Sequence, residues 1–154
     1  MPHVSLEYVI MVPILIVQVI LVPVAAGWMM DAWVLRRREN ELRDVASHMG
    51  TTIQQLYFSL NREEIVAGIT TQIPEVPSSI EFFPYNITAS SQKFENSTII
   101  DLNLALKGTD ITVMTRVTLG PNVLWQDSTF LSNSANACIL VEKFSNGTLS
   151  FSFG

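Results

Sequence analysis

HVSLEYVIMVPILIVQVILVPV, residues 3–24, decides how the rest of the chain reads. A polar start carrying one glutamate, Glu7, leads into residues 8–30, which are 23 uncharged positions ending before Asp31. As a helix that run is about 35 Å long at about 1.5 Å per residue. A bilayer's hydrocarbon core is about 30 Å thick, so the segment can span it with some tilt. It is too long and too close to the start for an ordinary secretory signal core. No small-x-small cleavage site follows it, although Ala25, Ala26 and Gly27 come near to one. The segment reads as a membrane helix.

Pro13 and Pro23 lie inside it. Each removes a backbone donor, and each biases the residue before it, Val12 or Val22, away from helical angles. A kinked or locally melted helix is expected there. Trp28 and Trp33 flank the far end as an aromatic interface belt does.

Arg36, Arg37 and Arg38 follow at once, with no Lys or Arg before the span. By the positive-inside rule they place the C-terminal side in the cytoplasm. Three N-glycosylation sequons oppose this, at Asn86-Ile87-Thr88, Asn96-Ser97-Thr98 and Asn146-Gly147-Thr148. Residues 63–154 hold nine acidic and four basic side chains, which suits a solvated outer surface. The lone cysteine, Cys138, excludes an intrachain disulfide and leaves the compartment open. The sequons and charge balance favour an external C-terminal portion, with the arginines running against that orientation.

Beyond the arginines the apolar period changes. Leu35, Leu42, Val45, Met49, Ile53, Leu56 and Leu60 form one stripe on a helix, close to a heptad seam. The opposite face carries Arg36, Arg37, Glu39, Asn40, Glu41 and Gln54. The membrane helix therefore continues as an amphipathic helix, to about Asn61 or on toward a stop at Gly68. Such a stripe suits packing on the chain's own small domain and also lateral packing on copies of itself. A proline-punctuated connector follows at residues 70–79.

After it the period is two. Ile100, Leu102, Leu104 and Leu106 alternate with Asp101, Asn103, Ala105 and Lys107, and Ile111, Val113, Thr115, Val117 and Leu119 alternate with Thr112, Met114, Arg116 and Thr118. Residues 107–110 connect these runs as a hairpin. A second hairpin runs from 137 to 153 around Asn146-Gly147, a dipeptide suited to a type I′ turn. Residues 80–83 and 123–125 read as further short strands, giving five to seven antiparallel strands. The expected fold class is α+β. Its organisation is a short leader and motif (1–7), a transmembrane helix (8–35), an amphipathic helix (36–69), a linker (70–79) and an antiparallel β sheet or sandwich head (80–154).

Signals of chemistry are sparse. His3 and His48 have no second ligand at metal spacing. Cys138 sits in a strand pattern, and Glu63-Glu64 reads as a solvated helix end. There is no Gly-rich phosphate loop and no locally supported Ser-His-Asp arrangement. The acidic soluble part lacks the basic stripe of a nucleic-acid binder. The sequence reads as non-enzymatic, with no metal and no cofactor.

Residues 4–11, VSLEYVIM, resemble the start of archaeal type IV pilin-like proteins made with a class III signal peptide. That family's motif is Gln-x-Ser-x-Glu-Tyr before a long apolar stretch, and Ser5, Glu7 and Tyr8 match it with His3 at the glutamine position. The resemblance implies cleavage by a prepilin peptidase between Pro2 and His3, making Glu7 the fifth residue of the mature chain. It further implies a structural filament or secretion-machine subunit that assembles through Ser5, Glu7 and Tyr8 with copies of itself or other pilin-like subunits. The stripe Leu42, Val45, Met49, Ile53, Leu56 and Leu60 would then pack between helices, below an external glycosylated head. Met1-Pro2 departs from the family's basic leader and small residue before the cut. Either the start lies upstream of Met1, or the protein stays unprocessed as a membrane anchor. The latter fits a second expectation, a single-pass envelope protein whose immunoglobulin-like domain binds a surface-layer or filament partner.

Overall fold

The computed structural model describes residues 3–154, with side chains from Tyr8 onward. The first element is a single helix, α1 (His3–Leu60), of 58 residues. Eight strands follow: β1 (Gly68–Gln72), β2 (Tyr85–Lys93), β3 (Thr98–Leu106), β4 (Thr112–Leu119), β5 (Val123–Trp125), β6 (Thr129–Leu131), β7 (Ile139–Lys143) and β8 (Leu149–Phe153). The chain divides into two units, residues 3–37 and residues 38–154. The architecture is α+β.

Pro13 and Pro23 sit within α1, which runs through both unbroken, so of the kink or local melting expected there the melting does not occur. A proline deletes one donor per site, and the hydrogen bonds on either side suffice to carry the helix through.

In the second unit the strands form two four-stranded sheets, ordered β1-β7-β8-β5 and β4-β3-β2-β6. The central ladder is the β2–β3–β4 meander, with Leu102 opposite both Ala89 and Thr115. Alternation decides the faces: Ile100, Leu102, Leu104 and Leu106 are buried, while the residues between them are half-buried or exposed. On the outward face, Arg116 donates from Nε to Asp101 Oδ1 at 2.7 Å across the β3–β4 pair. That bond holds the Asp101 carboxyl below the usual carboxylate range and supports the register.

The C-terminal part of α1 belongs to this head. Leu42, Val45, Met49, Ile53, Tyr57 and Leu60 are buried in one core cluster with residues of both sheets, and Leu56 packs against it. Burying each such side chain contributes about 1.5–3 kcal/mol, so this helix face is a main stabilising contact of the domain. Gly50 sits where close approach is needed, since a Cβ there would stand 3.1 Å from Val117 Cγ2.

Five sequence expectations are refined or corrected. The amphipathic helix ends at Leu60, next to the earlier expected end at about Asn61 and short of the 69 given as its limit, and Gly68 opens β1. No basic residue occupies the last helical turn. Instead Lys143 of β7 donates from Nζ to the Leu60 and Arg62 carbonyls at 2.8 and 2.7 Å, capping the helix from a distant strand. Lys143→Met should therefore lower head stability by about 1–2 kcal/mol, read as a drop in the thermal midpoint. The connector at 70–79 is part strand, because residues 70–72 pair with β7 as the end of β1. Pro74 is buried and Val76 packs on the core.

Residues 80–83 are not a strand. They form a tight turn in which Ile80 and Phe83 exchange two N–H···O bonds of 2.9 Å. Glu81 and Phe82 take φ of 45° and 75°, which costs about 1–2 kcal/mol per residue for side chains with a Cβ. Finally, Asn146-Gly147 is not a type I′ turn, since only Gly147 has positive φ. Gly147 N–H donates to Phe144 O and Phe144 N–H to Thr148 O, the three-residue loop in which a type I turn is followed by a left-handed glycine. Asn146 Oδ1 accepts from Thr148 N–H and holds the turn. The antiparallel expectation also needs one amendment, because β5 pairs with β8 in parallel.

Tyr85 shows how the linker is held. It is fully buried, its hydroxyl donates to Pro77 O at 2.6 Å, and its N–H donates to Ser132 Oγ. Burial pushes its pKa up to about 12 from 10.0. A raised folded-state value contributes stability that is complete below pH 10 and is lost as pH climbs through 12. Alkaline melting should show this loss between pH 10 and about 12, and Tyr85→Phe should remove that pH dependence at a cost of about 1 kcal/mol near neutrality.

Candidate functional site

The N-terminal unit is an uncovered apolar rod. From Tyr8 to Leu35 its large apolar side chains are exposed or, at Val34, half-buried, with Trp28 at 74% and Trp33 at 57%. Among the described residues this is one helix long and apolar enough to cross a membrane. An apolar face of this extent requires lipid or other protein around it, and by length and composition it suits a membrane anchor. Tyr8 lies on this exposed rod. Pro2 is outside the described residues, and so are the side chains of His3, Ser5 and Glu7.

The arginine cluster divides between two environments. Arg37 lies over the Trp33 ring, 5.8 Å from its centroid. Arg38 turns into the head, where Nε meets Glu81 Oε2 at 2.6 Å and the guanidinium lies 4.8 Å from the Phe83 ring centroid. Both partners of that ion pair are about three-quarters shielded, with side-chain exposures of 22% and 24%. At least one of the three arginines is therefore a packing residue of the head, which weakens its force as an orientation signal.

Each residue of the stripe, Leu42, Val45, Met49, Ile53, Leu56 and Leu60, faces the chain's own β strands. In the head that seam is occupied, while the 8–35 segment presents a continuous run of exposed apolar side chains.

The three sequons are presented at separate places. Asn86 is half-buried on the outward side of β2, whose neighbours Tyr85 and Ile87 point into the core. Asn96 is exposed in the β2–β3 turn, and Asn146 is exposed at the β7–β8 turn. The Thr98 hydroxyl of the second sequon is buried without a partner.

Other polar groups serve the frame. Asn122 donates from Nδ2 to Asn61 Oδ1 at 2.7 Å and to Gly147 O at 2.9 Å, and accepts from the Tyr57 hydroxyl at 3.2 Å. It thereby ties the end of α1 to two turns. His48 is exposed beside two shallow grooves, one of which also holds Glu41, Asp44 and Glu75. Among the described residues no three His, Cys, Asp or Glu side chains form a group able to hold a metal. Cys138 is half-buried at the entry to β7 beside Gly154.

Sequence reasoning missed the Arg38–Glu81 clamp, the Lys143 cap and the Asn122 junction. Each joins residues more than forty positions apart, and none leaves a periodic signal. The turn at 80–83 was hidden because it lacks the glycine or asparagine that marks such turns. Compared with known proteins, the chain matches no family model, no curated protein and no solved structure.

Proposed function

We infer that this chain is a structural pilin-like or pseudopilin subunit of an archaeal type IV filament or related secretion machine. It resides in the cell membrane with the β head outside, and it assembles through its N-terminal helix. The observation that carries this reading is α1 itself: the Ser5/Glu7/Tyr8 motif opens a continuous helix whose first half is bare and whose second half is the spine of a β head. Burial of the second half leaves residues 8–35 as the surface for self-assembly or for other pilin-like subunits. Prepilin peptidase would act between Pro2 and His3, and Asn86, Asn96 and Asn146 would carry glycans on the outer face.

A second reading is favoured by the two complete four-stranded sheets, which form a head larger than a helix cover requires. In it the chain is an unprocessed single-pass envelope protein whose immunoglobulin-like domain binds a surface-layer or filament partner. Neither reading involves catalysis, a cofactor or nucleic acid.

Intact mass and N-terminal sequencing, after glycan removal, separate the two. The protein is taken both from membranes and from sheared cell-surface material. A chain beginning at His3 in the sheared fraction is expected. A chain retaining Pro2 and confined to membranes would replace the filament subunit with the anchored envelope protein.

A further inference from the structure

The three sequons of the head lie on different backbones. A sequon is recognised through two groups, the asparagine carboxamide and the hydroxyl two residues on, and a transferase has to hold both. The segment must also enter a cleft, and a backbone bonded into a sheet on both sides cannot do so without giving up those bonds. At the first sequon that commitment is complete. Asn86 pairs with Ala105 of β3 and Leu131 of β6, and Thr88 pairs with Asn103 and Thr129. Tyr85 and Ile87, on either side of Asn86, are fully buried. The second sequon is split. Asn96 is exposed, but Thr98 opens β3 at 1% exposure with its hydroxyl sealed from solvent. Phe94 N–H donates to Ser97 O at 2.8 Å and closes the turn that holds them.

The third sequon is presented whole. Asn146 to Thr148 lie between β7 and β8 and belong to neither strand. Asn146 is exposed and Thr148 half-buried, and the Thr148 hydroxyl is not sealed as that of Thr98 is. Asn146 Oδ1 accepts from Thr148 N–H at 3.0 Å, which folds the carboxamide back toward the threonine. Gly147 between them makes that fold possible with its φ of 82°. Asn146 Nδ2, the nitrogen that would take the sugar, makes no hydrogen bond among the described residues.

We propose that Asn146 is the sequon that accepts a glycan on the folded head, and that Asn86 and Asn96 accept one only before the head folds. The donor is an oligosaccharide carried on a polyprenyl phosphate or diphosphate. Asn146 Nδ2 forms a bond to C1 of the sugar and the C1–O bond to phosphate breaks. The nitrogen's proton goes to a base of the transferase, and the phosphorylated lipid leaves. For the other two sites the head has to open first. Freeing Asn86 takes β2 from between β3 and β6, and domains of ordinary stability are open to that extent in about one molecule in a thousand or fewer. Freeing Thr98, the first residue of β3, is a more local event and suppresses Asn96 less. The proposal rests on the external, glycosylated head of the reading above and adds the order in which its sites can be filled.

The test uses the full chain in detergent micelles with a purified single-subunit oligosaccharyltransferase and its polyprenyl-linked donor. The transferase is chosen to modify synthetic peptides of all three sequons, which set the reference rates. Occupancy of each site over time is read by mass spectrometry of the digested chain. Ile53→Asp and Leu102→Asp, which replace fully buried residues, supply unfolded acceptors, and dichroism checks that the head is lost. On the parent chain Asn146 is expected to react at its peptide's rate. Asn96 should react about tenfold slower than its peptide, and Asn86 about a hundredfold slower or more. In the unfolded variants all three sites should react at peptide rates. Asn86 or Asn96 reacting at its peptide's rate on the folded parent would overturn the gating. Asn146 staying bare on the folded parent would overturn its assignment. Native protein free of glycan, beside the expected pattern in vitro, would reject the glycosylated outer face of the reading above and uphold the order of the sites.

Discussion

Ile53→Asp is expected to unfold the β head of the full chain, while Phe58→Asp, five residues along the same helix, leaves it within about 0.5 kcal/mol of the parent. Ile53 is fully buried in the cluster where α1 meets both sheets, and Phe58 is 67% exposed. The aspartate would lose the burial of an isoleucine and would either hold an unpaired charge in an apolar core or take up a proton. Together these cost about 5 kcal/mol or more. Domains of this size are stable by about 5–15 kcal/mol, so a change of this kind removes most of the margin. The readout is thermal melting in detergent followed by far-ultraviolet dichroism. An unchanged midpoint for Ile53→Asp would mean that the stripe is not part of the head's core and is free to pack on other chains.

The second large effect concerns Glu7. On the proposed filament-subunit reading, Glu7→Ala should abolish incorporation into sheared surface filaments and leave membrane insertion intact. A carboxylate at the edge of hydrocarbon costs a few kcal/mol when unpaired, and a positive partner offsets that cost. In an assembled bundle the newly exposed α-amino group of a neighbouring subunit can be that partner. The pairing would set the register between subunits, because one displaced by a helical turn leaves both charges unmatched in a low-dielectric setting. Immunoblots of the sheared and membrane fractions measure the partition. Normal filaments built from the variant would end the assembly role of Glu7 and leave it as a solvated acid at a helix N-terminus.

These two substitutions probe different halves of α1, and the halves differ in how they could be read. Residues 8–30 needed only composition, since a run without charge and long enough for a bilayer has few other uses. The stripe from Leu42 to Leu60 was equally visible as a period, but a period does not name its partner. Only the structure shows that the partner is the chain's own pair of sheets. The β3–β4 pair was legible because one buried face imposes strict alternation, and the 107–110 hairpin was legible for the same reason, whereas β2 was not, since only Tyr85 and Ile87 of its nine residues are buried.

Where local signals competed with tertiary contacts, the contacts won. Nothing in residues 61–69 forbids helix, yet the chain leaves α1 at Leu60 because Lys143 and Asn122 satisfy its last polar groups and β7 offers Gly68–Gln72 a ladder. Asn146-Gly147 matched a type I′ pair, but the loop spans three residues and requires only one left-handed glycine. The turn at Glu81–Phe82 runs against local propensity altogether, held by an arginine 43 positions earlier.

By itself the sequence determined the elements whose hydrophobic pattern repeats: the membrane-length helix, its amphipathic continuation and the alternating strands, because burial of one face writes a period into the chain. The tertiary structure alone decided where those elements stop, which surface each stripe covers, and that β5 runs parallel to β8. Those outcomes depend on single long-range bonds and on side chains without periodic order, and a residue's neighbours in space leave no mark on its neighbours in sequence.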